Sequence, residues 1–207
     1  MNVVFDFGAV LFAWQPAQLV AAYFPDRAAT PETAAQLARS VFGHADWHDF
    51  DRGSLSLDAV VARTAQRLSL ATAPLQSLIA GIGDGLQPIA ATLGVLTALS
   101  QRRQQRGDLR LYYLSNMPVP YARTLERKHA FLQWFDGGIF SGDVLQCKPD
   151  PAIYQLLQTR HALAPEQTVF IDDLQANVDA ACALGWHGIH FVSAQQMQRS
   201  LANLLGQ

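Results

Sequence analysis

The sequence predicts an α/β protein, an open parallel sheet with helices on both faces, interrupted after its first strand by an all-helical insertion. Three observations carry this expectation. Short, unbroken apolar runs recur along the chain, as strands buried on both faces require. From the second run onward they alternate with stretches of helical periodicity, the signature of a Rossmann-like sheet. Between the first run and the rest, residues 14–86 hold helix signals and no convincing strand.

The first strand is Val3-Val4-Phe5. Inside the insertion, Thr30-Pro31-Glu32 sets an N-cap residue before a proline at the first helical position, and Ser56-Leu57-Asp58 is a second cap-and-acid start. The run Ala80-Gly81-Ile82-Gly83-Asp84-Gly85 predicts the return linker. No strand precedes its glycines, so a hinge is favoured over a dinucleotide-binding loop. A helix begins near Pro88 and ends at Gly107, before a second strand over residues 109–114. The third strand is Gly138-Ile139-Phe140, and Asp150-Pro151 opens the helix that follows. A fourth strand spans Thr168 to Ile171, Gly185 closes the next helix, and Gly188 to Phe191 form the last strand. The expected division is an α/β core of residues 1–13 and 87–207 and a helical cap of residues 14–86.

Half of the 207 residues are apolar, enough for one core and a small accessory module. The formal net charge is −2 and no block of like charge occurs, so neither a nucleic-acid nor a membrane partner is expected. No apolar run reaches membrane-spanning length, and no basic leader precedes Asn2. Cys147 and Cys182 lie far apart and outside metal-ligand spacing. These features lead us to expect a soluble cytoplasmic monomer or dimer with reduced thiols.

Ligands of open parallel sheets bind at the carboxyl ends of the strands. There the first strand runs into Asp6-Phe7-Gly8, and the second into Ser115-Asn116. The third leads to Ser141-Gly142-Asp143 and on to Lys148-Pro149. The fourth runs into Asp172-Asp173, with Asn177 one helical turn later. Alone, each is an ordinary turn or helix entrance. At one sheet edge they combine three carboxylates for a hard divalent cation, small donors for phosphate oxygens and one opposing cation.

These four sites resemble the four motifs of the haloacid dehalogenase-like (HAD) superfamily. Phe140 to Val144 with Cys147 to Tyr154 is similar to its third motif well beyond the lysine, and Val169 to Asn177 to its fourth. A helical insertion after the first motif matches the subgroup with a small cap there. Within it, Asp51-Arg52-Gly53-Ser54-Leu55-Ser56 is similar to a cap segment of sugar-phosphate phosphatases related to glucose-1-phosphatase. The resemblance implies that Asp6 attacks phosphorus to form an aspartyl-phosphate. It implies Mg²⁺ held by Asp6, the Gly8 carbonyl, Asp173 directly, and Asp172 and Asn177 through water. Ser115 and Asn116, with the main chain of Phe7 and Gly8, would bind the phosphoryl oxygens, and Lys148 would neutralise charge on Asp6 and the phosphoryl group. Asp143 would orient Lys148 or cap a turn.

Phosphatases of this superfamily usually carry a second acid two residues after the nucleophile, where this chain has Gly8. Three readings stay open. The substrate has a good leaving group, such as glucose 1-phosphate or an aryl phosphate; the cap supplies the acid, with His44, His48 or Asp49 as candidates; or the chain binds phosphate without turnover. Phe12, Trp14, Phe42 and Trp47 are expected either at the entrance beneath the cap or in the cap's own core. Arg52 reaches substrate or closes a turn, and the four-residue spacing of His44 and His48 lacks a third ligand for zinc. A 2-haloacid dehalogenase is the enzymatic rival, but its fourth motif has a serine-containing stretch where Asp172-Asp173 stand here.

Overall fold

The computed structural model describes residues 1–206. Its strands are β1 (Asn2–Phe5), β2 (Arg110–Ser115), β3 (Gly137–Phe140), β4 (Thr168–Asp172) and β5 (His187–His190), all parallel in the order β3-β2-β1-β4-β5. The central strand is the first in sequence. The chain builds β2 and β3 on one side of it and then crosses to build β4 and β5 on the other. The switch point therefore lies beside β1. Phe5, the last residue of β1, is in register with Tyr113 of β2 and Ile171 of β4, so β2 runs two residues and β4 one residue further at the carboxyl edge.

Alternation along β1 divides the interior. Val3 and Phe5 face a large apolar cluster with α6 (Ala90–Arg106), α7 (Val119–Lys128) and α10 (Ala194–Leu204). Val4 faces a smaller one with α8 (Pro151–His161) and α9 (Gln175–Ala183). Cover on both faces explains why the run reads as unbroken apolar sequence. The edge strand β5 buries only Ile189.

Five helices separate β1 from α6: α1 (Pro16–Tyr23), α2 (Pro31–Phe42), α3 (Ala45–Arg52), α4 (Leu57–Leu68) and α5 (Thr72–Gly85). Thr30 forms a capping box with Thr33, and the Ser56 hydroxyl accepts from the Ala59 N–H at 3.2 Å. The expected linker at residues 80–85 is instead the last part of α5. Helix packing overrides glycine's weak helix propensity there. A Cβ on Gly83 would stand 3.1 Å from the Tyr121 Cα, so the glycine lets α5 and α7 approach closely. The Tyr121 hydroxyl then donates to the Ile79 carbonyl at 2.6 Å. The chain returns just afterwards, where the Ala13 N–H donates to Gln87 and the Ile89 N–H to Leu11, both at 2.8 Å. The large apolar cluster continues without a break from the sheet into these helices, through Val20, Leu37, Trp47, Val60 and Leu78. Among the described residues no helix is long and apolar enough to cross a membrane. Cys147 and Cys182 are free thiols.

Candidate active site

Asp6 leaves the end of β1 with its N–H still bonded to the Ile171 carbonyl, at 2.9 Å. The chain then turns sharply. The Phe7 carbonyl accepts from the N–H groups of Val10, Leu11 and Phe12, which brings Gly8 into the wall of a cavity of about 250 Å³ above the sheet edge. Lys148 is buried beneath this cavity. Its Nζ lies 2.9 Å from Asp6 Oδ1 and 2.5 Å from Asp172 Oδ2. The Asp172 carboxylate also accepts from Asn177 Nδ2 at 3.0 and 3.1 Å and from the Leu174 N–H at 2.8 Å. Both oxygens of Asp172 thus have donors, as a fully buried carboxylate requires.

Asp6, Asp172 and Asp173 each place a carboxylate oxygen within 4.8 Å of the others. Burial pushes the Asp6 carboxyl up from 3.8 to about 7; Asp172 and Asp173 add to this, and Lys148 opposes it. Burial likewise raises Asp173, with Asp172 reinforcing it. Burial works to lower Lys148, but Asp6 and Asp172 outweigh it and hold the ammonium above its ordinary value. One lysine therefore leaves three carboxylates undercompensated. Hard oxygen donors with excess negative charge at one point fit Mg²⁺.

Ser115, Asn116, Lys148, Asp173 and Asn177 border the cavity together with Asp6 and Gly8. The other expected roles divide. The Asn116 side chain is committed to the lysine, accepting from the Lys148 N–H at 2.9 Å and donating to its carbonyl at 3.0 Å, so it frames Lys148 instead of presenting its amide to phosphate. Asp143 does not orient Lys148; it pairs with Arg123 on the neighbouring helix. The Phe7 ring is buried among Phe12, Tyr113, Phe135 and Phe140, which leaves only its main chain for a phosphate.

The expectations for Phe12 and for the insertion divide as well. Phe12 is fully buried against Phe7, His129 and Phe131, because the turn after Phe7 directs it inward. His44 caps α3, its Nδ1 accepting from the Asp46 N–H at 3.1 Å, and does not border the cavity. Arg52 and Asp49 pair with each other at 2.7 Å, also away from it. Among the described residues the carboxylate trio is the one grouping of three or more with metal-ligand proximity. Trp14, Phe42, Trp47 and His48 do line the cavity.

Sequence reasoning missed Tyr121, Ile82, Leu86 and, above all, Asp51. Asp51 stands half-buried on the cavity wall at the end of α3, where the insertion touches the core. Its main-chain carbonyl accepts from Ser141 Oγ at 2.5 Å. Two residues on, Gly53 adopts φ +84°, and a Cβ there would lie 2.6 Å from the Gly142 carbonyl oxygen. A Gly53→Ala variant must move this junction, and we expect a loss of about 2 kcal/mol or more in urea unfolding. Unchanged stability would show that the contact is not tight.

No family model matches the chain. Among curated proteins, a sesquiterpene phosphatase of Aspergillus oryzae is 25% identical over 203 residues, covering 98% of this chain and 95% of its own length. A drimenol cyclase of Aspergillus calidoustus is 28% identical over 204 residues, covering 99% of this chain and 36% of its own length, so the chain spans about a third of that relative. A HAD family enzyme from Bacteroides thetaiotaomicron, solved in complex with magnesium and inorganic phosphate, aligns over 91% of this chain and 92% of that one, with a TM-score of 0.69 and 15% identity. Likeness at that identity shows a common fold.

Proposed function

We propose that this chain, a hydrolase of the haloacid dehalogenase-like superfamily, is a Mg²⁺-dependent phosphatase that passes the phosphoryl group of a monoester to Asp6 before water removes it. The observation that supports this most is Lys148 bridging Asp6 and Asp172 at a point where three carboxylates converge. Asp6, the Gly8 carbonyl, Asp172 and Asp173 would hold the ion. When bound, it would offset charge on the phosphoryl oxygens and on Asp6. Lys148 holds Asp6 in place and shields it from the approaching phosphate, while Asn177 and the Leu174 N–H keep Asp172 on the lysine. Ser115, on the border of the same cavity, would donate to a phosphoryl oxygen. A 2-haloacid dehalogenase has no need of a third carboxylate at this point, so the acid trio favours phosphate chemistry.

The substrate body would lie against Trp14, Phe42, Trp47, Ile82, Leu86 and Tyr121. Away from the phosphate end, His48 and Asp51 are the acidic or basic side chains on this wall. An anomeric sugar phosphate, the expectation from the cap segment, would leave most of its hydroxyls without partners there. A monophosphate of an apolar alcohol, such as a terpenyl phosphate, would bury its tail instead, and a relative covered along nearly its whole length is named a sesquiterpene phosphatase.

The test is inorganic phosphate release from farnesyl monophosphate, glucose 1-phosphate and 4-nitrophenyl phosphate, with Mg²⁺ and with a chelator. Burying two additional methylenes is worth about 1.6 kcal/mol. We therefore expect kcat/KM for the farnesyl ester to exceed that for the sugar phosphate by about tenfold or more. Release unaffected by chelation would remove the metal. Chloride release from a 2-chloroacid under chelation would restore the dehalogenase, and saturable phosphate binding without release would indicate a binding protein.

A further inference from the structure

An apolar alcohol is a poor leaving group, so P–O cleavage needs a proton delivered to the bridging oxygen, and Gly8 has no side chain to deliver it. We propose that Asp51, carried by the helical insertion, is the acid that protonates the leaving oxygen and then the base that activates the hydrolytic water. The inference rests on the phosphatase reading above.

Geometry favours Asp51 over every other acid or base of the insertion. Asp49 is paired with Arg52, and His44 is engaged in capping α3 away from the cavity. His48 lines the cavity, but its carbonyl lies against Cys147 at 4.0 Å and nothing else ties its ring to the reacting end. Asp51 borders the same cavity as Asp6 and Gly8, close enough for the charges of Asp6 and Lys148 to act on it. Its backbone is tied to the core by Ser141 and by the Gly53–Gly142 contact. Although it belongs to the insertion, it therefore keeps a fixed position relative to the nucleophile, as acid catalysis demands. A Cβ added at Gly8 would meet nothing within 4 Å, so the cavity that Asp6, Gly8 and Asp51 border has room beside Gly8 for a leaving oxygen or a water.

The direction of its shift agrees with the task. Burial holds the Asp51 carboxyl well above the ordinary carboxylate value; the Asp6 charge adds to this, while the Trp47 indole and Lys148 oppose it. A carboxyl shifted in this direction holds its proton more tightly than an exposed aspartate and is the better placed to donate it.

The bookkeeping closes without another reactant. An Asp6 carboxylate oxygen forms a bond to phosphorus as the bond from phosphorus to the ester oxygen breaks. The Asp51 proton moves to that oxygen, and the neutral alcohol departs. Asp51, now a carboxylate, takes a proton from water as the water oxygen bonds to phosphorus. The Asp6–phosphorus bond breaks, and inorganic phosphate, free Asp6 and protonated Asp51 result.

The test compares first-turnover alcohol release from farnesyl monophosphate and 4-nitrophenyl phosphate in wild type, Asp51→Asn and Asp51→Glu. For Asp51→Asn we expect a loss of about 10²–10⁴-fold on the farnesyl ester but below about tenfold on the nitrophenyl ester, whose leaving group needs no proton. Asp51→Glu should recover part of the farnesyl rate. Adding Gly8→Asp to the Asp51→Asn protein, which places an acid in the open space beside Asp6, should recover part of it too. Thermal shifts with Mg²⁺ and inorganic phosphate, matched to wild type, establish that each variant is folded with its phosphate end intact. Equal losses on both esters, or none on either, would overturn the role of Asp51 while leaving the phosphatase reading standing. Absence of phosphate release by the wild type would overturn both.

Discussion

An Asp6→Asn protein should lose turnover of every phosphate monoester by about 10⁴-fold or more, yet outlast the wild type in urea at alkaline pH without metal. The first result follows from removing the oxygen that would bond to phosphorus, and the amide that replaces it is no nucleophile. Rapid quench with radiolabelled substrate should trap a phosphoenzyme in the wild type and none in the variant. The second result follows from the cost of ionising Asp6 where it lies. Burial raises its carboxyl from 3.8 to about 7, so between those values the folded chain binds more protons than the unfolded one. Stability from this group therefore falls as pH rises through that window, and an asparagine does not titrate. At pH 8 the variant should be the more stable by a few kcal/mol, on the order expected for a shift of this size. Near pH 3 the difference should close. Urea unfolding at several pH values under chelation measures it, and a gap independent of pH would remove the assigned burial cost. Mg²⁺ should stabilise the wild type above neutrality far more than the variant.

Lys148→Met should act in the opposite direction on stability. Lys148 is the cation buried between Asp6 and Asp172, and among the described residues no other cation lies within ion-pair distance of either. Removing one partner of such a buried pair leaves charge without compensation and costs about 3–5 kcal/mol. The methionine fills most of the stem's volume, so the loss is electrostatic and not a cavity effect. Saturating Mg²⁺ should recover part of the stability, because the ion serves the same carboxylates. It should not recover rate, for which we expect a fall of about 10²–10³-fold, as for loss of one charge-stabilising donor. A Lys148→Met protein as stable as wild type under chelation would show that the two aspartates hold their charge without the lysine.

How much of this was readable from sequence depended on the range of each signal. Val3-Val4-Phe5 and Val169-Phe170-Ile171 read as buried strands because cover on both faces leaves no polar residue in the run. Asp6 and Asp172-Asp173 could be placed at the sheet edge because they stand at the ends of β1 and β4, and Lys148 because it shortly precedes the helix entrance at Asp150-Pro151. Asp143 was misassigned because its partner, Arg123, sits 20 residues away on another helix. The glycines of residues 80–85 looked like a hinge, since the backbone of Tyr121 that requires Gly83 is distant in sequence. Asp51 was passed over for the same reason. Nothing in Asp51-Arg52-Gly53 shows that Ser141 and Gly142 pin its backbone beside Asp6, and a buried carboxyl looks like an exposed one on paper.

The unbroken apolar cluster linking the sheet to the inserted helices has a consequence for how the molecule comes apart. Residues such as Val20, Leu78 and Tyr121 belong to the same interior as Val3 and Phe5, so separating the two regions would expose that interior to water. The insertion and the sheet are then one cooperative unit, with a single melting transition and no partly unfolded state in which the insertion alone is lost. Substrate preference in such a molecule resides in the resting shape of its interior, and changes that loosen the helices should cost fold and selectivity together.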